Sequence, residues 1–297
     1  MRSSGRVESS VACTPVLLMA ALAAPAPAHA QTLRFDQPFS QQVAHQGFGP
    51  VVDVHVRGRT ESFLLDTGSS PSLVVSEAAP RLRARAGGPT CRHPLQIHLG
   101  KDVTVPVPCE VIPTIPEFAA AKLAGMLSPQ QLAPNDLVVI DFPSMRLFAL
   151  RASGEPFDDF RKLYPGRSGL RLQRVGESIG AMLVRGAWGD RAEVLVDIDT
   201  GRPYTQFARR YLEGASMAGS SATLSATGAR SVHQQSLQAQ PLRIGSAVIA
   251  SVRIRSREEA GVAAGIVYEG SLGRDVLQNC AIGIPPRQQR QVYLACR

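Results

Sequence analysis

Aromatic residues are scarce in this 297-residue chain, at 5% with a single Trp, and cysteine occurs only five times. Beyond the N-terminal region no apolar run approaches the roughly 20 residues needed to cross a bilayer. The positive excess, +8 from 32 Lys+Arg against 24 Asp+Glu, is almost wholly Arg and is scattered along the chain. No block of it resembles a nucleic-acid-binding arm, so it is assigned to solubility and background composition, and no nucleic-acid partner is expected. Also missing are a Gly-x-Ser-x-Gly elbow, a phosphate-binding Gly loop and a His-Glu-x-x-His pair. Serine-hydrolase, nucleotide and zinc-hydrolase chemistries are left without support, and no metal or organic cofactor is implied.

The N-terminus carries an address. Arg2 and Arg6 precede the apolar stretch from Val16 to Ala24, and small residues follow, ending Ala28-His29-Ala30. A charged start, an apolar middle and an A-x-A site predict a secretory signal over residues 1–30, cleaved before Gln31. The apolar run is short for a membrane anchor and Pro25 and Pro27 interrupt its end, so no stable membrane insertion is expected after cleavage. Cys13 precedes the apolar segment and does not read as a lipoprotein cysteine. The mature protein is expected to be exported, periplasmic or secreted, in an oxidising compartment.

Four cysteines remain in the mature chain, which allows three pairings. Cys91 and Cys109 lie symmetrically about Gly100-Lys101, flanking two alternating segments that read as hairpin strands; Cys280 and Cys296 lie symmetrically about Gln288. Each pair is therefore expected to bridge one hairpin. The rival is a metal site of Cys91, His93, His98 and Cys109, against which the export signal weighs.

What the chain does have is a repeated motif. The apolar run Phe63-Leu64-Leu65 leads into Asp66-Thr67-Gly68-Ser69, and Val194-Leu195-Val196-Asp197-Ile198 leads into Asp199-Thr200-Gly201. A lone Asp-Thr-Gly is more often a surface turn. Two copies, each at the end of a buried-strand pattern, predict a tandem repeat that contributes one carboxylate from each half. The surroundings repeat as well. A hairpin precedes each motif. A helix is expected after each, over residues 76–85 and 205–213. Then come a hairpin (residues 95–107 and 242–254), a Gly-containing apolar segment (residues 123–128 and 269–273) and a closing strand pair (residues 137–150 and 281–294). Residues 31–49 read as a polar extended arm, 152–176 as an inter-lobe linker with a helical turn near 157–164, and 214–228 as a loop or mobile hairpin. The lobes are predicted over 50–151 and 177–297.

This order resembles the aspartic peptidases of the retropepsin and pepsin type, and most closely bacterial, exported, retropepsin-like proteins with two lobes in one chain. The resemblance rests on Asp66-Thr67-Gly68-Ser69, on Asp199-Thr200-Gly201, and on Leu123-Ala124-Gly125 and Glu269-Gly270-Ser271-Leu272-Gly273 as the segments passing behind them. It implies an all-β fold of two pseudo-symmetric acid-protease-like lobes with a cleft between them. It also implies hydrolysis of a peptide or protein substrate by a water held between Asp66 and Asp199. Thr67 and Thr200 would tie the two loops together, Gly68 and Gly201 would let the backbone turn close to the carboxylates, and Ser69 would bond the outer oxygen of Asp66. Two carboxyls so close share one proton.

The second motif departs from the family. Arg202 stands where a small residue is usual, and Asp197 stands where the first lobe has Leu64. An Asp197–Arg202 ion pair at the lobe edge and a retuned or disabled half-site both account for this. No flap tyrosine is found, and residues 86–88 and 227–229 are candidate flap tips. Trp188 reads as a turn residue, exposed or half-buried. Beside the peptidase reading stand a catalytically inactive exported peptide-binding protein of the same fold, and an envelope protein in which both turns are incidental.

Overall fold

Two large sheets and one short hairpin account for the strands among the described residues of the protein, known here from a computed structural model. It describes residues 33–41, 49–84, 90–100, 102–152, 154–176, 181–189, 193–213, 217–224, 230–237, 241–249, 253–257, 260–263 and 265–297. The expected signal segment and both expected flap tips lie outside the described residues.

The sheet that joins the halves is built symmetrically. Leu137–Asp141 and Cys280–Ile284 pair antiparallel at its centre, with Ile140 opposite Ile282. Arg146–Leu150 and then Leu33–Gln41 flank one side, while Gln291–Cys296 and then Ser168–Gln173 flank the other. The stretches read from sequence as an arm and a linker thus each supply a strand: Ser168–Gln173 closes one edge, and Leu33–Gln41 pairs with Arg146–Leu150 and then with Pro50–Val56, linking this sheet to the first lobe. In Leu33–Gln41 the buried side chains are Phe35 and Phe39, spaced four apart among polar neighbours, which is why the segment reads as polar. Residues 152–176 also contain the helix Pro156–Leu163, which lays Phe160 against Tyr293.

Each lobe then repeats one strand plan. In the first, Pro50–Val56 and Arg59–Leu65 form the hairpin that feeds Asp66; Arg59–Leu65 runs parallel to Leu123–Leu127, which pairs with Ser72–Val75, which runs parallel to Cys109–Ile112. In the second, Leu183–Trp188, Glu193–Ile198, Gly270–Leu272, Gln206–Ala208 and Arg253–Arg257 pair in the same order and the same directions. The protein is an all-β fold of two lobes. A Cβ on Gly125 would lie 1.9 Å from Leu73 O, so only glycine allows the close crossing of strands there.

Local expectations differ from the structure in four places. The expected helix over 205–213 is the strand Gln206–Ala208 followed by a 3-10 turn, Arg209–Tyr211, because Phe207 is buried against Trp188, with ring centroids 4.5 Å apart, while its neighbours complete the sheet. Trp188 is itself buried and ends a strand. The helix expected over 76–85 is the single turn Ala79–Leu82. The strand expected over 248–254 divides into Ala247–Ile249 and Arg253–Arg257, which pair with different partners. The loop or hairpin expected over 214–228 agrees with the structure, where Met217–Leu224 pairs antiparallel with Arg230–Leu237.

Cys91 is bonded to Cys109 and Cys280 to Cys296, each bond bridging the two sides of one hairpin. The rival metal site loses its two sulfur ligands to the first bond. Among the described residues no helix is long and apolar enough to cross a membrane.

Candidate active site

Each Asp-Thr-Gly turn leaves a strand whose end is pinned from behind. Asp66 N–H donates to Leu127 O and Asp199 N–H to Leu272 O, both at 3.1 Å. The apolar-Gly segments therefore fix where both aspartates begin. The turns then cross-link. Thr67 Oγ1 donates to Ile198 O at 2.5 Å and accepts from Thr200 N–H at 3.0 Å. Thr200 Oγ1 donates to Leu65 O at 2.9 Å and accepts from Thr67 N–H at 3.1 Å. Both threonines are fully buried, so each hydroxyl gives and receives a bond with the other lobe and none is left for water.

This reciprocal tie brings the Asp66 and Asp199 carboxyls into hydrogen-bonding contact, 8% and 6% exposed. Gly68 N–H donates to Asp66 Oδ1 at 2.8 Å and Gly201 N–H to Asp199 Oδ1 at 3.1 Å. A Cβ on Gly68 would stand 2.8 Å from Asp199 Cγ, and one on Gly201 2.6 Å from Asp66 Cγ, so each glycine makes room for the opposite carboxyl. Burial pushes Asp66 well above the usual carboxyl range; the Asp199 charge adds to this, the Gly68 bond opposes it, and Asp197 adds a further small push.

The two half-sites then diverge. Arg202 does not pair with Asp197. Its Nε donates to Asp199 Oδ2 at 2.6 Å and its Nη1 to Gln206 Oε1 at 2.7 Å. Burial lowers the Arg202 guanidinium, but Asp199, Tyr268 and Asp197 outweigh that and hold it above the ordinary Arg value, so its charge is permanent. Asp197 instead turns inward, 2% exposed, where its Oδ1 accepts from Met182 N–H at 2.8 Å. Burial and then the Asp199 charge raise it to about 7, against the Met182 bond and the Arg202 and Arg257 charges. Ser69 Oγ, expected on Asp66, is buried without a hydrogen-bond partner among the described residues.

No family model and no curated protein matches the chain. Solved structures do match. The aspartic proteinase from Irpex lacteus aligns with 88% of this chain and 96% of its own, at a TM-score of 0.53 and 13% identity. The chain has a pepsin-like fold. At that identity the likeness is one of architecture, and what the site does rests on its own residues.

Sequence reasoning did not find two residues that shape this pepsin-like site. Gln130 Nε2 donates to Thr67 O at 2.8 Å, bracing the first turn, and Gln206 anchors Arg202. The signal for Gln206 was present in the repeat: it matches Leu73, so a polar residue there marks a changed second half. Gln130 left no such signal.

Proposed function

We propose that the chain is an aspartic-type endopeptidase of the exported, two-lobed retropepsin-like kind, with Asp66 and Asp199 as its catalytic pair. The observation that carries this is the reciprocal threonine tie, which places two buried carboxyls in contact across the lobes. Asp66, held protonated by burial and by its neighbour, donates to the carbonyl oxygen of the scissile bond. Asp199, bonded to Arg202, takes a proton from the attacking water. The resulting tetrahedral diol collapses when the Asp199 proton passes to the leaving nitrogen and Asp66 recovers its own. No metal enters these steps. The substrate is a peptide or unfolded protein segment, and the mature chain starts at Gln31.

One observation favours a second reading, a peptide-binding protein without turnover. Arg202 Nε occupies Asp199 Oδ2, an oxygen the attacking water would otherwise contact. The two readings separate in one assay. Signal-free protein is incubated with a denatured protein substrate between about pH 3 and 7, the span of tuned carboxyl pairs, with and without a transition-state-mimicking peptide. Inhibitable cleavage supports the peptidase; tight binding of the mimic without cleavage supports the binding protein.

A further inference from the structure

Strand register in the two lobes can be compared side chain by side chain. In the first lobe, Val51, Leu64, Met126, Leu73 and Glu110 stand opposite one another across five strands. The matching row in the second lobe is Leu183, Asp197, Ser271, Gln206 and Arg255. Three apolar positions have become Asp, Ser and Gln, and the closing Glu has become Arg. All four polar members are at least nine-tenths buried, yet Ser271 Oγ and Arg255 Nε have no hydrogen-bond partner among the described residues. A buried donor left unmet costs about 1–3 kcal/mol. Such a row is poorly explained as packing and well explained as the wall of a polar subsite.

Arg202 links that wall to the reacting centre. Its Nε and Nη1 are engaged by Asp199 and Gln206, while Nη2 has no partner among the described residues and the side chain is 37% accessible. Among the described residues the neighbouring cations are held by aromatic rings rather than by ion pairs. Arg255 stacks on Tyr204, 3.5 Å from the ring centroid, and Arg257 on Tyr268 at 4.7 Å, and neither has a carboxylate within salt-bridge distance among the described residues. Arg257 Nε is also buried and unbonded. Asp199 balances Arg202, and Asp275 is held by the Thr205 N–H and hydroxyl. The second-lobe side is therefore cationic with guanidinium donors to spare, where the first-lobe side is apolar.

We propose that Arg202 makes the second-lobe side of the cleft a subsite for an acidic side chain, so that the protein selects peptides with Asp or Glu next to the scissile bond. Arg202 Nη2 makes the direct contact, and Arg255 and Arg257 supply the surrounding field. Its consequence for cleavage rests on the peptidase reading; its consequence for binding does not.

The test uses uncleavable peptides with a reduced scissile bond, differing only by Glu or Gln at each of the two flanking positions, titrated calorimetrically into the folded mature chain. Wild type is expected to bind the Glu peptide about tenfold more tightly at one of the two positions, as for one charge-assisted bond, with the ratio falling as salt rises. Arg202→Ser should bring the ratio to about one, and Arg202→Lys should retain part of it. Equal affinities at both positions in wild type, no binding of any peptide, or a ratio unchanged in a folded Arg202→Ser protein would each overturn the proposal. Because wild type alone gives the primary ratio, a misfolded variant does not rescue it. A Glu preference in binding with no cleavage of the same peptides carrying an ordinary scissile bond defeats the peptidase reading and leaves the subsite standing; cleavage of those peptides without a Glu preference does the reverse.

Discussion

The first and second half-sites share a backbone and differ in what surrounds it. Both turns have the same threonine bonds, the same glycine donor to the carboxylate and the same pinning bond from behind. Yet Asp66 sits beside apolar Leu64 and an unbonded Ser69, while Asp199 sits beside buried Asp197 and an Arg202 clamp. The turn geometry therefore does not depend on symmetric surroundings; it depends on the threonine tie. What the surroundings change is charge. Among the described residues, Arg202 on Asp199 is the one guanidinium bonded to either carboxyl, and nothing comparable stands beside Asp66.

The harshest break in this comparison is to remove one carboxylate at a time. Asp66→Asn and Asp199→Asn should each reduce hydrolysis at least about a thousandfold, and the double variant should lose little more, since the two groups act as one unit. Single-turnover rates on a peptide substrate measure this. If Asp199→Asn alone stays active, the two half-sites do not form one catalytic pair. Asp66→Asn should also melt higher at neutral pH, because a carboxyl raised by burial destabilises the fold once its unfolded counterpart ionises.

Next in size are the disulfides, one in each half of the chain. The enclosed spans differ little, at 18 and 16 residues of separation. Loop closure alone gives each about 3 kcal/mol, with roughly 0.1 kcal/mol between them. Replacing each pair by Ser and measuring urea unfolding therefore reads out the lobes themselves: a gap well above that value would come from strand packing rather than chain entropy.

How far the sequence discloses all this depends on whether a residue's role is local. The two Asp-Thr-Gly turns, the hairpins before them and the cysteine pairs are legible because apolar alternation and tight turns are encoded within about ten residues. The strand Gln206–Ala208 is not, since its conformation follows from Phe207 seating on Trp188 and from strands about 50 residues further on. The partner of Arg202 was open for a similar reason. Asp197 and Asp199 are both within reach in sequence, and only the inward turn of Asp197 onto Met182 N–H leaves Asp199 for the guanidinium. The strands Leu33–Gln41 and Ser168–Gln173 read as arm and linker because each buries only two side chains fully and takes its ladder from partners far away in sequence.

The smallest effects test whether Asp197 matters to the pair at all. Asp197 titrates near 7 in the folded protein, against 3.8 when unperturbed. Below pH 3.8 both states hold the proton and no penalty arises. Between 3.8 and 7 the unfolded chain ionises first and stability falls; above 7 the loss is complete. Asp197→Asn removes that loss while keeping an oxygen for Met182 N–H. It should gain ~2 kcal/mol at pH 8 and nothing at pH 3.5, half the full linkage value of about 1.4 kcal/mol per unit, since a neutral amide is also costly to bury. The same variant should move the upper limb of the pH–activity profile. Asp197 helps to raise Asp66, though it is the least of the contributing causes, and it does so only once charged, near and above pH 7. Without it Asp66 loses its proton at lower pH, and the limb should shift down by less than about one unit. Arg202→Ser should shift that limb the other way, because removing a cation from Asp199 makes loss of the shared proton harder. Opposite shifts would show that the asymmetry tunes the pair. Shifts of the same sign, or none, would leave Asp197 and Arg202 as parts of the second lobe's interior with no part in the chemistry.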